Sequence, residues 1–260
     1  MRYAVLADIH GNLPALRAVL AQLDGAVDGY LCAGDVVGYG PDPNGCARAL
    51  AERDVVAVAG NHDLIALGRL SDDRCSDTAR TTLRWTADVL APDVRAWLAG
   101  LPAVAERDGI TLAHGAPGDP QEYVTGPTRA AELVRGLSNG DGMRALALGH
   151  THRAWAWSPA TGTALEQGTG EVDLGAADSW LLNPGSVGQS RERDPRARYA
   201  IVDVAQRRAR FEAVAYDLRA TRTALRAAGL PPSACYSPPS RTGQIRRIAA
   251  GARRRWAGGR

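Results

Sequence analysis

The chain of 260 residues is 45% hydrophobic and 23% charged, a balance that suits one large or two small domains with a real core and excludes a disordered chain. No apolar run approaches the roughly 20 residues of a membrane span. Lysine is absent, all 31 basic residues being arginine, which excludes a Walker A phosphate loop and a Schiff-base lysine.

The chain opens as a strand, Tyr3–Ala7, and no secretory leader is expected. The strand ends at Asp8-Ile-His10-Gly11. Asn12 then reads as an N-cap with Pro14 in the first turn, and Leu13, Leu16, Leu20 and Leu23 recur at helical spacing up to Asp24-Gly25. A second strand, Tyr30–Ala33, runs into Gly34-Asp35. A Gly/Pro-rich loop from Gly38 to Gly45 precedes a helix bearing Cys46, Ala47, Leu50 and Ala51. A third strand, Val55–Val58, ends at Gly60-Asn-His-Asp63. This alternation is the pattern of an α/β sheet covered by helices. Residues 64–100 break it. Ser76 or Asp77 caps a helix with Ala79, Leu83, Ala87 and Leu90 on one face, and a shorter helix follows Pro92 through Val94 to Leu98. Such an insertion serves either as a cap beside a site or as one more packing layer. Strands resume at Gly109–Ala113, Ala145–Leu148, Trp180–Leu182, Tyr199–Val202 and Phe211–Val214, the last stretches without intervening helices and therefore antiparallel in expectation. There is no internal repeat. The expected division is a domain over 1–230, with the insertion at about 64–100, then a Pro-rich linker and basic tail over 231–260.

The polar clusters share one placement: each directly follows an expected strand. Asp8 and His10 follow the first, Asp35 the second, Asn61 and His62 the third, His114 the next, and His150 and His152 the one after. In open α/β sheets ligands sit beyond the carboxyl ends of strands, so distant segments deliver carboxylate, amide and imidazole groups to one edge. The chain's five histidines all fall in this set. Mixed nitrogen and oxygen donors do not suit calcium, which takes oxygen ligands; they suit manganese, iron, zinc or nickel. Two ions about 3.5–4 Å apart account for seven ligands, because one carboxylate can bridge both. With only two aspartates such a site keeps a net positive charge and attracts phosphate.

Asp8-x-His10, Gly34-Asp35 with Gly40, Gly60-Asn-His-Asp63, His114-Gly115 and Gly149-His-Thr-His152 match, in order, the motifs of the calcineurin-like metallophosphoesterases. Gly11-Asn-Leu-Pro-Ala-Leu16, Gly38-Tyr-Gly-Pro-Asp-Pro-Asn44, Asn183-Pro-Gly-Ser-Val-Gly-Gln189, and Arg191 with the Asp194–Ala197 stretch are similar to the small bacterial phosphodiesterase branch of that superfamily. The resemblance covers about residues 1–217. It implies a four-layer αββα sandwich with a small helical insertion and a dinuclear site that takes two divalent transition-metal ions, manganese foremost, with iron, zinc or nickel as alternatives. Carried over, Asp8, His10, Asp35 and His152 hold the first ion, Asp35 bridges, and Asn61, His114 and His150 hold the second. His62 contacts the phosphate and protonates the leaving oxygen, and Asn61, Asn183 and Arg191 are substrate contacts. One departure stands out: many members carry an Asp three residues after the bridging Asp, where it orients the histidine. Here that position is Gly38, which leaves Asp63 as the candidate partner of His62. The implied activity is hydrolysis of a phosphodiester or related phosphate ester by metal-activated hydroxide. A dinucleoside polyphosphate hydrolase and a phosphoprotein phosphatase are the alternatives within the superfamily. Outside it stand a non-catalytic metal-binding scaffold and a nucleic-acid binder.

The last alternative rests on the tail. Residues 241–260 hold seven arginines and no acid, whereas the other 240 carry 24 arginines against 28 acids. Ile245, Ile248, Ala249, Ala252 and Trp256 fall on one helical face flanked by arginines, a pattern that binds nucleic acid, an anionic surface or an acidic partner, or is simply a solvated end. The expected principal partner is a small phosphorylated substrate, nucleotides included. The four cysteines form no C-x-x-C pair, Cys32 reads as a buried thiol, and a reducing, cytoplasmic setting is expected.

Overall fold

A computed structural model describes residues 1–137 and 144–239. In chain order the elements are β1 (Arg2–Leu6), α1 (Leu13–Leu23), β2 (Gly29–Cys32), α2 (Pro43–Ala51), β3 (Val55–Ala57), α3 (Asn61–Ala66), α4 (Asp77–Val89), α5 (Pro92–Ala99), β4 (Val104–Arg107) and β5 (Ile110–Ala113). They continue with α6 (Pro127–Arg135), β6 (Arg144–Ala147), β7 (Ala154–Ser158), β8 (Gly162–Glu166), β9 (Gly170–Asp173), β10 (Ser179–Pro184), β11 (Ala197–Asp203), β12 (Arg208–Val214) and α7 (Leu218–Ala227). Twelve strands form two six-stranded mixed sheets, ordered β3-β2-β1-β11-β12-β9 and β4-β5-β6-β10-β7-β8.

The two-residue period of β1 shows how the layers are built. Ala4 and Leu6 point to a cluster shared with α1, α2, α4, α5 and α7. Tyr3 and Val5 point the other way, into the core between the sheets with Ile110, Leu112, Trp180 and Phe211. A third cluster, holding Ala130 and Val134 of α6 with Leu146 and Leu181, covers the outer face of the second sheet. Helix, sheet, sheet and helix therefore stack as the expected αββα sandwich.

Local signals set the helix starts. The Asn12 side chain accepts from the Ala15 N–H with Pro14 in the first turn of α1, Asp42 caps α2 ahead of Pro43, and Ser76 caps α4 by accepting from Ala79 N–H. The insertion combines both roles left open by its sequence. Leu83, Val94 and Leu98 are buried in the helical layer, while the start of α4 borders the cavity described below.

Two expectations change. β11 and β12 do pair antiparallel, but β10 lies in the other sheet, parallel to β6 and antiparallel to β7, with β7–β9 intervening between β6 and β10. The Pro-rich segment is also docked at its start. Pro232–Cys235 form a 3₁₀ turn with Ala234 and Cys235 buried. The Ser237 N–H donates to the Ser190 carbonyl at 3.1 Å, and the Tyr236 hydroxyl to the Arg193 carbonyl at 2.8 Å. The amphipathic pattern over 241–260 lies outside the described residues.

Candidate metal centre

All seven expected ligands and His62 converge where the carboxyl ends of the two sheets meet. Asp8 and His10 leave β1, Asp35 leaves β2, Asn61 and His62 open α3 after β3, His114 leaves β5, and His150 and His152 follow β6. Each is buried, with at most 6% exposure. Five of them hold left-handed backbone: Asp8 (φ 54°), His10 (51°), Asp35 (55°), His150 (65°) and His152 (58°). Asp and His visit this region more readily than most residues, but each visit still costs about 1–3 kcal/mol. Such strain persists where surrounding contacts over-determine it. Here Asp8 N–H donates to the Gly34 carbonyl and His10 N–H to the Asp35 carbonyl, while Gly188 N–H and the Ser186 hydroxyl both donate to the Asp8 carbonyl.

The donors face inward. His10 Nε2 lies 3.2 Å from His152 Nε2 and 3.5 Å from Asp35 Oδ2. His114 Nε2 lies 3.2 Å from the same Asp35 oxygen and 3.1 Å from Asn61 Oδ1. His152 Nε2 is 3.5 Å from Asp8 Oδ1. Asp35 Oδ2 thus faces imidazoles from both halves of the cluster, the position a bridging ligand needs. Three triads within this cluster, Asp8–His10–His152, His10–Asp35–His62 and Asp35–His114–His150, have the closeness of a metal-ligand group.

The outer contacts fix which ring nitrogen points inward. Nδ1 of His10 lies 3.1 Å from the Val37 carbonyl, that of His114 2.7 Å from the Ala33 carbonyl, and that of His152 2.6 Å from the Gln189 carbonyl. A carbonyl only accepts, so Nδ1 carries the proton and Nε2 presents a lone pair. Two lone pairs at 3.2 Å repel unless a cation stands between or before them. Asp8 Oδ2, Asp35 Oδ2 and His150 Nε2 are buried with no hydrogen-bond partner, an expensive state for polar atoms in the absence of an ion. The residues present therefore fit divalent cations of nitrogen- and oxygen-loving character.

The protonation pattern points the same way. Burial raises Asp8 to about 7 and pushes His10 and His152 well below the ordinary imidazole value. Burial works against ionisation of Asp35 too, but the imidazoles of His114, His62 and His10 outweigh it and hold its carboxyl well below the usual range. Burial likewise opposes a charge on His114, yet the Asp35 carboxylate raises it to about 9. The cluster calls for positive charge at the position where His114 and Asp35 face each other.

His62, which is not among the seven expected ligands, nevertheless brings a ring nitrogen close to the donor atoms of His10 and Asp35. Its ring packs on Tyr39 and edge-on to His10, each at 4.7 Å between centroids, and burial lowers its pKa to about 4. Its Nδ1 is buried without a partner. Asp63 does not supply one: it accepts from the N–H groups of Asp35 and Gly60 (both 2.9 Å) and Val37 (3.0 Å), and so braces the Asp35 loop. At Gly38, where the resemblance leads one to expect an aspartate, the His62 ring occupies the room a side chain would need. A Cβ on Gly38, whose φ is +87°, would collide with His62 Nδ1.

A cavity of about 640 Å³ opens over the cluster, lined by Asp35, Asn61, His62, His150 and His152 at its floor. Arg191 lines its wall as expected, donating to Tyr123 Oη (3.1 Å) and Gln189 Oε1 (3.3 Å), both neutral. Asn183 is not a cavity residue. Its amide donates to the Gly149 carbonyl (2.7 Å) and Thr151 Oγ1 (3.1 Å), and its Oδ1 accepts from Gly185 N–H. The Asn183–Gln189 stretch is thus a buckle behind the ligand loops, holding Asp8, Gly149 and His152 from the rear. Several cavity residues were not singled out as site residues from the sequence, among them Tyr39, Tyr123 and Gln189. Tyr39 carries a sequence signal, standing between Gly38 and Gly40 in the loop after Asp35, and Gln189 closes the Asn183–Gln189 motif, whereas Tyr123 carries none.

The fold and the site together define a metallophosphoesterase architecture. The profile of the calcineurin-like phosphoesterase superfamily domain matches residues 1–207, and the chain belongs to that superfamily. A metallophosphoesterase from Sphaerobacter thermophilus is similar in structure, with a TM-score of 0.79, 33% identity, and coverage of 90% of this chain and 96% of that one. An uncharacterized protein of Methanocaldococcus jannaschii is 31% identical over 224 residues, 83% of this chain and 88% of its own. A hypothetical protein of Pyrococcus horikoshii shares the fold at a TM-score of 0.73 and 21% identity, over 90% and 96% of the two chains. The membership makes the chain a phosphoester hydrolase by superfamily, with Asp and His groups placed to bind divalent metal. No helix among the described residues is long and apolar enough to cross a membrane.

Proposed function

We propose that this chain hydrolyses a small phosphodiester or related phosphate ester at a dinuclear metal centre. Asp8, His10, Asp35 and His152 would hold one divalent ion, Asp35, Asn61, His114 and His150 the other, with manganese the first choice. The observation that carries this reading is the single Asp35 oxygen set between His10 at 3.5 Å and His114 at 3.2 Å while lacking any hydrogen-bond donor. Bound there, such ions supply a water nucleophile of lowered pKa and Lewis acidity toward the phosphoryl oxygens.

The chain's own groups do the rest. The Asp35 carboxylate is aimed by its Oδ1, which accepts the His62 N–H at 2.8 Å. Arg191, whose described partners are neutral, keeps its charge available for a phosphoryl oxygen. His62 is neutral at pH 7 before substrate arrives, so it donates a hydrogen bond to phosphate from a neutral ring. A bound phosphate's negative charge then raises its proton affinity, which equips it to protonate the leaving oxygen. The walls formed by the insertion and by residues 233–238 favour a small substrate over a duplex or a protein.

The test is a screen of mono-, di- and pyrophosphate esters on protein stripped of metal and reloaded with Mn²⁺, Fe²⁺, Zn²⁺ or Ni²⁺, with bound metal counted. Two equivalents and diester turnover are expected. Two equivalents without turnover of any ester would make the chain a metal-binding scaffold, and less than one equivalent would end the metal reading.

A further inference from the structure

Tyr123 is 54% exposed, and of the large hydrophobic side chains exposed among the described residues it alone lines the cavity over the metal centre. Its ring is nevertheless fixed. One side packs on the His150 imidazole at 4.1 Å between centroids, tilted by 44°, and its hydroxyl accepts from Arg191 Nη1 at 3.1 Å. A side chain held at both ends has little freedom left to lose when something binds it. Much of its surface stays free of protein contact, and it is part of the cavity lining. A tyrosine needed only to hold Arg191 would not have to present its ring there; a ring that is rigid, exposed and next to an expected metal ligand is a stacking platform.

The position sets what stacks on it. A phosphoryl group seated against His150 and Arg191 lies beside Tyr123, because both residues touch that ring. The group esterified to that phosphate is therefore the part of the substrate that meets the ring. The lining also includes Arg74, Ser76, Thr78 and Ser233, whose guanidinium and hydroxyl groups suit the polar edge of a heterocycle or sugar more than an alkyl chain. Arg74 is itself anchored by Asp119 at 3.1 Å, so it brings hydrogen-bond donors rather than an unpaired charge. From this geometry we infer that Tyr123 selects phosphodiesters whose retained group carries a planar aromatic ring, as a nucleoside does. This rests on the phosphoesterase reading above and narrows its substrate class.

The experiment keeps the leaving group constant, so that its acidity drops out. The metal-loaded protein is given two diesters that both release 4-nitrophenolate, thymidine 5′-(4-nitrophenyl phosphate) and methyl 4-nitrophenyl phosphate, and the ratio of their kcat/KM values is taken. The thymidine ester is expected to win by about 5- to 150-fold, the span that one base–aromatic stack covers. Tyr123→Leu should bring the ratio close to one, chiefly through KM of the thymidine ester. Tyr123→Phe, which keeps the ring and loses the hydroxyl, should preserve most of it. A ratio near one in the native protein, or a preference that survives Tyr123→Leu, overturns the assignment to Tyr123 while leaving the phosphoesterase reading intact. Failure to turn over either diester while the wider screen finds turnover of another phosphate ester overturns the assignment to Tyr123 alone; only failure across the whole screen with two metal equivalents bound ends both.

Discussion

At the residue scale the centre depends on atoms that have nothing else to do. Asp35 Oδ1 is engaged by the His62 N–H, whereas Oδ2 has no donor. Asp35→Asn preserves shape but replaces one carboxylate oxygen by an amide that cannot bridge two cations. Bound metal should drop below two equivalents and turnover should fall by more than about a hundredfold, beyond the 10–100-fold typical of losing an outer-sphere partner. Metal analysis alongside ester hydrolysis checks this, and near-normal turnover with metal supplied would remove Asp35 from the bridge. Gly38 offers a contrasting probe. A methyl there collides with the His62 ring, and the backbone φ of +87° adds strain. Gly38→Ala should displace His62 and lower kcat while the metal content stays at the native level, because His62 is outside the proposed ligand set. Loss of metal in this variant would mean that His62 also ligates. At this scale most of the site was legible, since Asp8, His10, Asp35, Asn61, His114, His150 and His152 announce themselves by strand-end placement. Asn183 was misread because its motif is linear while its hydrogen bonds are not: only the fold shows that its amide faces Gly149 and Thr151. Tyr123 carried no signal, because nothing in its neighbourhood tells a cavity tyrosine from a surface one, and Gln189 was visible only as the end of a motif, not as a cavity residue.

At the element scale the segment after α7 is the part whose role changes most. Gln189 links it to the site: its Nε2 donates to the Ala234 carbonyl at 3.0 Å, its Oε1 accepts from Arg191, and its backbone carbonyl receives the His152 ring. The seating of residues 232–237 and the position of Arg191 therefore share one side chain. Gln189→Leu keeps the volume and the backbone carbonyl but frees both partners. We expect KM to rise about tenfold, the effect of losing a hydrogen bond to a charged group, with metal content unchanged because His152 keeps its carbonyl. Steady-state kinetics with metal analysis decides this; an unchanged KM would separate the C-terminal turn from substrate binding. The same scale shows why some elements were legible and others not. β1 and α1 announce themselves through regular apolar periods with long buried faces. α6 buries only Ala130 and Val134, and α7 only Thr221 and Leu225, so each presents a narrow apolar stripe among many charged and polar residues. β8 and β9 bury one residue each and are strands because β7 and β12 pair with them.

At the scale of the whole molecule the centre is a junction. Asp8, His10, Asp35 and Asn61 come from strands of one sheet, and His114, His150 and His152 from strands of the other. The His150 N–H donates to Asp8 Oδ1 at 3.0 Å, and His114 Nδ1 lies 2.7 Å from the Ala33 carbonyl, so ligand loops of both sheets already interlock. Cations bound there add cross-links that the unfolded chain cannot form, because the donors are far apart in sequence. Binding to the folded state alone stabilises it by about 2.7 kcal/mol per site at a hundredfold excess over Kd. For a domain of this size 1 kcal/mol moves Tm by about 2–4 °C, so filling one site raises Tm by about 5–11 °C. Calorimetry of the stripped protein with and without Mn²⁺ should show that rise, and chelator should reverse it. Ca²⁺ at equal concentration should produce much less, because imidazole nitrogens make a poor calcium site. An equal shift with Ca²⁺ would show that the ions bind carboxylates at the surface instead of the histidine cluster, and the case for a transition-metal centre joining the two sheets would fail with it.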